Sequence, residues 1–466
     1  MKKKSYIILA IMTGFLLLGS HPLTYAEDTQ LITLVKDLQK QVMTLQKTVS
    51  EQQVKILDLE KVRVERKDVQ QDIQVPEDFM VNLKESIGDS DKWLKDLKFS
   101  GDFRLRYEAR DMVDSAGKAT TSAMRDQNRF RYRLRYGFTK KFNPDMEVGF
   151  RMASIPGENV VPTRTTTNTT LDNQFAFKDI AIDLAYVKYT PGWAEVGPVQ
   201  GLEITAGKFK NPISHQASWI IWDGDVTPEG LYEKVDVGLL KTDDLEVNLS
   251  ALAGQWILEE GTALASHDDA ELYLWSGNLT TKVKGILKYP IETRHHVTYY
   301  DYRDFASRLG NFGAAGNNFV NGAGTLAAED FNIWDIYNEA SFQFDERIPK
   351  LTLFQDYVEN VSNHAWGGLG EEESSAWALG AKLGKAKKKG TWEVSYTYAQ
   401  IEANAVPSVF TDGDFTGTNE RGSVIRGSYA LTDSLKLSSA AIFTNNMRGD
   451  QDAERRLFQA DLIWTF

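Results

Sequence analysis

From about residue 97 to the end of the chain, apolar and polar residues alternate with period two in one stretch after another. In 128–140, Phe130, Tyr132, Leu134, Tyr136 and Phe138 share one face, while Arg129, Arg131, Arg133 and Arg135 share the other. In the last twelve residues Phe458, Ala460, Leu462, Trp464 and Phe466 fall on one side, and Gln459, Asp461 and Thr465 on the other, with Ile463 as the exception. Alternation of this kind makes a β-strand with one oily and one polar face. The pattern predicts about sixteen strands: 97–108, 128–140, 145–155, 178–190, 201–210, 230–240, 245–256, 270–283, 291–303, 331–344, 349–360, 374–385, 391–402, 420–431, 434–444 and 455–466. Tight turns such as Phe142-Asn143-Pro144-Asp145, Thr242-Asp243-Asp244 and Thr432-Asp433 alternate with long loops at 109–127, 156–177, 211–229, 257–269, 304–330, 361–373, 403–419 and 445–454.

Short turns at one end, long loops at the other and an even strand count describe a transmembrane β-barrel of outer-membrane type. A soluble sandwich has no need of that asymmetry. Closure pairs every backbone N–H and C=O, which hydrocarbon demands, and about sixteen strands leave a lumen wide enough for water. The expected fold is therefore an all-β antiparallel barrel over 98–466.

A different period precedes it. Leu31, Leu38, Leu45, Gln52 and Leu59 take one core position of a heptad, and Val35, Val42, Val49, Ile56 and Arg63 the other. This predicts an α-helical coiled coil over 27–64, about 50 Å long at the helical rise. Branched residues at one core position with Leu at the other lean towards two strands, although Gln52 and Arg63 interrupt the seam. Residues 65–97, with Pro76, read as a linker.

Composition fixes the compartment. Met1-Lys2-Lys3-Lys4, an apolar run from Tyr6 to Gly19 and Thr24-Tyr25-Ala26 form a secretory signal peptide over 1–26. The chain of 466 residues has no Cys, which fits a bacterial envelope protein better than a disulfide-stapled secreted one. Aromatic residues make up 11%, and mean hydropathy is -0.37. A barrel that alternates lipid-facing and water-facing positions gives that mean polarity. The net charge of -12 argues against nucleic-acid binding.

Candidate chemistry lies on the inward faces. An Arg on the lipid face costs about 2–4 kcal/mol at the bilayer midplane, so Arg129, Arg131, Arg133 and Arg135 are expected to line the lumen. The same reasoning turns in Arg104 and Arg106 of the first strand and Arg151 of the third. Together they predict a basic wall that draws anions through. The alternative is a wall neutralised by inward carboxylates, for which Glu108, Glu147, Asp179, Asp183, Glu203, Asp335, Glu339 and Glu393 are available. The long loop 211–229 carries Trp219, Ile220, Ile221 and Trp222. It is too apolar for free solvation, and one reading folds it into the barrel as a constriction with Asp223, Asp225 and Glu229 facing the water. The other packs it in a subunit interface. His21, His215, His267, His295, His296 and His364 show no spacing to Ser or Asp that suggests a triad. His295 and His296, adjacent on a strand, point to opposite faces. No enzymatic activity, cofactor or metal is expected.

Several segments resemble the bacterial "putative porin" family: Ala185 to Tyr189 with Thr205 to Pro212, Trp222 to Gly230, and Phe410 to Gly422 with Ser428 to Asp433. The openings G-D-F-R-L-R-Y-E and N-R-F-R-Y-R-L-R-Y-G match as well. The phosphate- and polyphosphate-selective porins are a more distant likeness, through the arginine ladder and the coiled coil. The resemblance covers roughly 98–466. It implies a passive water-filled outer-membrane channel for small hydrophilic solutes or ions, a homotrimer, with lipid and lipopolysaccharide around it. An aromatic end at Trp464 and Phe466 resembles the signal read by the barrel-assembly machinery. The rival reading is a structural protein whose coiled coil tethers the outer membrane.

Overall fold

The computed structural model describes residues 96–113, 127–156, 165–260, 269–305, 317, 331–344, 349–362, 373–448, 451 and 453–466. The expected signal peptide, coiled coil and most of the linker lie outside these residues.

All sixteen expected strands are present. They are β1 (Leu97–Val113), β2 (Gln127–Asn143), β3 (Met146–Ser154), β5 (Ile180–Tyr189), β6 (Val199–Lys208), β7 (Glu229–Lys241), β8 (Leu245–Glu259), β9 (Ala270–Val283), β10 (Ile291–Arg303), β11 (Asn332–Phe342), β12 (Leu351–Asn360), β13 (Ser375–Gly384), β14 (Trp392–Ile401), β15 (Glu420–Ala430), β16 (Leu435–Asn446) and β17 (Glu454–Thr465). One further two-residue strand, β4 (Thr169–Thr170), pairs with Arg131 and Tyr132 of β2. Every long strand pairs antiparallel with its neighbours in sequence, and β17 pairs with β1, so the barrel closes. Among the described residues no helix is long and apolar enough to cross a membrane; the strands take that part.

The closing seam explains the last residue. Asp102 lies opposite Thr465, and Arg106 opposite Asp461. Beyond the strand end, Phe466 exchanges backbone hydrogen bonds with Gly101 at 2.9 and 3.1 Å. Its ring stacks on Tyr136 at 6.3 Å. A Cβ at position 101 would stand 2.8 Å from that ring and 2.3 Å from the Arg135 carbonyl oxygen, so glycine is what lets three strands meet there.

The period-two pattern sorts the side chains as expected. Leu105, Leu134, Tyr136, Leu353, Leu379, Phe458 and Leu462 are exposed, while their neighbours Arg104, Arg106, Arg133, Gln459 and Asp461 are buried. Oil outside and charge inside is the reverse of a water-soluble protein and suits a lipid surround.

The short connections are built from side-chain-capped turns. Asn143 Oδ1 accepts from the backbone N–H of Asp145 and Met146, and Thr242 Oγ1 accepts from Leu245. Such local bonds fix the register of the hairpins they close. Both Leu97 and Phe466 lie at this short-turn end.

Candidate functional site

β1 and β2 run side by side with their charged residues in register. Asp102 stands opposite Arg135, Arg104 opposite Arg133, Arg106 opposite Arg131 and Glu108 opposite Arg129. Two of these pairs set like charges face to face, which is destabilising unless carboxylates intervene. They do. Arg106 makes a two-pronged pair with Asp461 of β17, Nε at 2.7 Å and Nη2 at 2.8 Å. Arg133 and Arg135 share Asp102, each at 2.6 Å. Glu108 takes Arg129 at 2.5 Å and Arg131 at 3.4 Å. Arg104 donates to Asn168 Oδ1 and lies 3.8 Å from Asp461.

Of the carboxylates expected to neutralise the ladder, Glu108 does so, and Asp183 holds Arg151 at 2.6 Å. Asp102 and Asp461 carry most of the rest. Arg151 therefore stands apart from the other six arginines.

Among the described residues three loop segments fold inwards: 165–170, 211–229 and 402–419. One of the two readings of the sequence placed the second there. Trp219, Ile220, Ile221 and Trp222 are buried in one apolar cluster with inward-facing Tyr232, Trp256, Leu272, Leu274 and Tyr300 of β7 to β10. Burying each such side chain contributes about 1.5–3 kcal/mol, which holds the segment inside against the loss of loop freedom.

The third segment packs on the second. Trp222 stacks on Phe410 at 5.0 Å and Trp219 meets Phe415 at 4.9 Å. Their backbones join through Asp223 N–H to Phe410 carbonyl and Asp412 N–H to Trp219 carbonyl. Asn317 ties residues 403–408 in place, donating to the Ala403 and Val406 carbonyls and accepting from Ser408 N–H.

Where the two segments meet, the same three residues occur twice: Asp223-Gly224-Asp225 and Asp412-Gly413-Asp414. In each, the first Asp accepts a hydrogen bond from the backbone N–H of the second, at 2.7 and 2.8 Å. That turn aims the second Asp at the ladder. Asp225 lies 3.6 Å from Arg133 and 3.5 Å from Arg135, and accepts from Thr167 N–H and Oγ1. Asp414 lies 3.5 Å from Arg106 and accepts from Gln459 at 2.9 Å. The repeated D-G-D is the signal in the sequence that would have brought in the third segment.

The pairs split in acidity. Burial alone would raise Asp225, but Arg133, Arg135 and Arg104 hold it below the usual carboxylate range. Burial likewise opposes ionisation of Asp414, and Arg106 and Gln459 overcome it. Asp223, buried beside Asp412 and Asp225, is pushed well up, and Asp412 is raised by burial and by Asp414.

Between the ladder, the two D-G-D turns and the opposite wall lies a polar cavity of about 690 Å³. It reaches from Arg110 and Arg129, near the long-loop ends of β1 and β2, to Lys382 and Lys436, near the short-turn ends of β13 and β16. Ten Arg and Lys side chains and six carboxylates line it. All the expected lumen arginines except Arg151 are among them, as are Asp223 and Asp225. Trp219 and Trp222 instead lie in the apolar cluster. Glu229 stands apart as well: it opens β7 and pairs with Lys208 at 2.7 Å. Trp464 and Phe466 are on the outer face, with rings 5.4 Å apart.

The family described as "putative porin" matches residues 113–325 and 314–463. No curated protein matches the sequence. Among solved structures, Pseudomonas putida OprB at high pH is similar at 12% identity, over 82% of this chain and 97% of that one, with a TM-score of 0.48. Salmonella typhi OmpF in complex with daunomycin is similar at 10% identity, over 79% and 97%, with a TM-score of 0.42. The outer membrane channel DcaP of Acinetobacter baumannii is similar at 11% identity, over 79% and 97%, with a TM-score of 0.40. A closed sixteen-strand barrel with its charge turned inwards and a family match over most of the chain lead to one conclusion: this chain belongs to the "putative porin" family of outer-membrane channels.

Proposed function

We propose that the protein is a passive, water-filled pore for small hydrophilic solutes and ions, favouring anions, with no catalytic step. The observation that carries this reading is the polar cavity that follows the arginine ladder along the barrel. Its ten cationic side chains outnumber its six carboxylates, and one of those, Asp223, is held towards its neutral form. A confined surplus of positive charge raises the local concentration of anions.

In this reading the short-turn end, with both ends of the barrel, faces the periplasm. Residues 1–26 are removed on export, and 27–64 form a periplasmic coiled coil joined through 65–97. Trp464 and Phe466 present the assembly signal, and the barrel is a homotrimer, as the family resemblance implies. The test is conductance of the purified full chain in planar bilayers together with swelling of protein-loaded vesicles in small sugars. Steady single-channel steps and sugar entry are expected; folded protein that gives neither would refute a pore.

The ion pairs on the ladder favour a second reading, a pore with little charge preference. Asp102, Glu108 and Asp461, two of them outside the cavity lining, bind five of the six arginines at 3.4 Å or less. Chloride and potassium permeabilities that differ by less than about twofold would support that reading over anion preference.

A further inference from the structure

The inserted segment 211–229 touches the barrel wall a second time, away from the arginine ladder, through His215. Its imidazole has no exposed surface and stacks on Tyr337 of β11 at 4.0 Å. Nε2 lies 3.7 Å from the Asp335 carboxylate and Nδ1 3.7 Å from that of Asp356. Asp335 on β11 and Asp356 on β12 are diagonal neighbours in the ladder, since Tyr337 is the residue opposite Asp356. Both are 1% exposed. One nitrogen of His215 and one oxygen from each carboxylate lie within 4.8 Å of one another.

Among the described residues none of the six polar side-chain atoms of this trio has a hydrogen-bond partner of good geometry; besides His215, Asp335 has only the Asp356 carboxyl and the Tyr300 hydroxyl close enough to interact with it. Among the described residues no Lys or Arg comes within 4 Å of either carboxylate; His215 alone does. Arg294 is nearby, but its Nη1 is spent on the Ser214 carbonyl and its Nε on Asn278. Two carboxylates buried together without a counter-charge are a costly arrangement. On the arginine ladder, by contrast, every arginine has a carboxylate within 4 Å.

A divalent cation resolves the mismatch. Two carboxylates neutralise it, and the imidazole completes a nitrogen–oxygen donor set. Bonds of about 2.1 Å place ligand atoms roughly 3.0–4.2 Å apart, so from the 4.8 Å limit the trio closes on an ion by about 0.6 Å or more. Calcium and magnesium prefer oxygen donors alone and more of them. An imidazole with carboxylates suits zinc or manganese.

We propose that His215, Asp335 and Asp356 form a structural divalent-metal site, suited to Zn²⁺ or Mn²⁺, that clamps the inserted segment to β11 and β12. The ligands come from positions far apart in the chain, so the ion cross-links a loop to the wall that it must not leave. The site stands whether or not the pore prefers anions.

The experiment uses the untagged full chain extracted in detergent, stripped with EDTA and offered ZnCl₂ or MnCl₂. After gel filtration about one equivalent of metal is expected per chain by mass spectrometry, with a higher thermal unfolding midpoint than in EDTA. His215→Ala and Asp356→Asn should each weaken retention at least 100-fold, whereas His295→Ala, on the outer face, should not. Should both ligand variants fail to fold, zinc X-ray absorption of the wild-type chain decides alone. One imidazole among oxygen donors supports the site; several imidazoles, or none, overturn it. Wild-type protein that keeps no metal above buffer, or ligand variants that keep as much as wild type, also overturn it. Asp335 and Asp356 would then share a proton instead.

Discussion

Arg106 and Asp461 face each other across the seam that closes the barrel, and their side chains are only 7% and 8% exposed. Arg106→Met removes both prongs of the pair and takes the 3.5 Å contact away from Asp414 as well. Removing one partner of a buried pair costs about 3–5 kcal/mol, because the other charge stays buried. Here the lower end applies. Asp461 keeps Arg104 at 3.8 Å, and Asp414 keeps its bond from Gln459. We expect about 3 kcal/mol, more than a hundredfold in the unfolding equilibrium. The double variant Arg106→Met with Asp461→Leu removes both charges and should return to within about 1 kcal/mol of wild type. That leaves a coupling of about 2 kcal/mol or more. The assay is reversible urea unfolding in phospholipid vesicles, followed by tryptophan fluorescence. If Arg106→Met costs under about 1 kcal/mol, or the double variant is no better than the single, the pair is solvated by a wide lumen. The argument from burial would then fail.

Three further outcomes follow from the same geometry. Gly101→Val should abolish the heat-modifiable folded band on gels, because a side chain there meets the Phe466 ring and the Arg135 carbonyl, whereas Gly277→Ala, where nothing lies within 4 Å, should be tolerated; equal folding of the two would refute the seam packing. Asp225→Asn removes one negative charge from the cavity. At about 6 Å in water, with screening at 0.1 M salt, a unit charge is worth roughly 0.4 kcal/mol, with opposite sign for anion and cation, so the chloride-to-potassium permeability ratio should rise about fourfold, and a fall would count against the assignment. Asp223 has its carboxyl raised by burial and by Asp412 and Asp225, so the folded chain binds a proton that the unfolded chain releases near pH 3.9. Its contribution to stability is complete below that pH and is lost as pH rises through the raised value. Over the same climb the cavity gains negative charge, so the permeability ratio should fall with pH and Asp223→Asn should flatten the change; a ratio that climbs with pH would be wrong for this site.

Period-two alternation made the wall of the barrel legible, because lipid outside and water inside leave each strand residue only one acceptable side. That constraint turned Arg104, Arg106 and the four arginines of β2 away from lipid, where they line the polar cavity, and put Phe458, Leu462, Trp464 and Phe466 on the exposed face. The apolar run Trp219 to Trp222 likewise betrayed a loop that had to be covered. What alternation does not carry is register between strands distant in sequence. Asp461 reaches Arg106 across 355 residues, and nothing local marks it as that partner. Asp335 was seen only as one of many inward carboxylates, and His215 only as a loop histidine, since their meeting depends on how far the loop dips. Segments 165–170 and 402–419 are polar enough to pass for surface loops. The duplicated D-G-D turn was the one available hint for the latter, and its meaning emerges only when Trp222 and Phe410 stack.

The central claim is that the arginine ladder leaves the pore with a net preference for anions. The most direct measurement is the reversal potential of the wild-type full chain in a planar bilayer under a KCl gradient. A reversal displaced towards the chloride potential is the predicted result. A reversal displaced towards the potassium potential would mean that Asp102, Glu108, Asp461 and the D-G-D carboxylates outweigh the arginines they bind, and would contradict the claim.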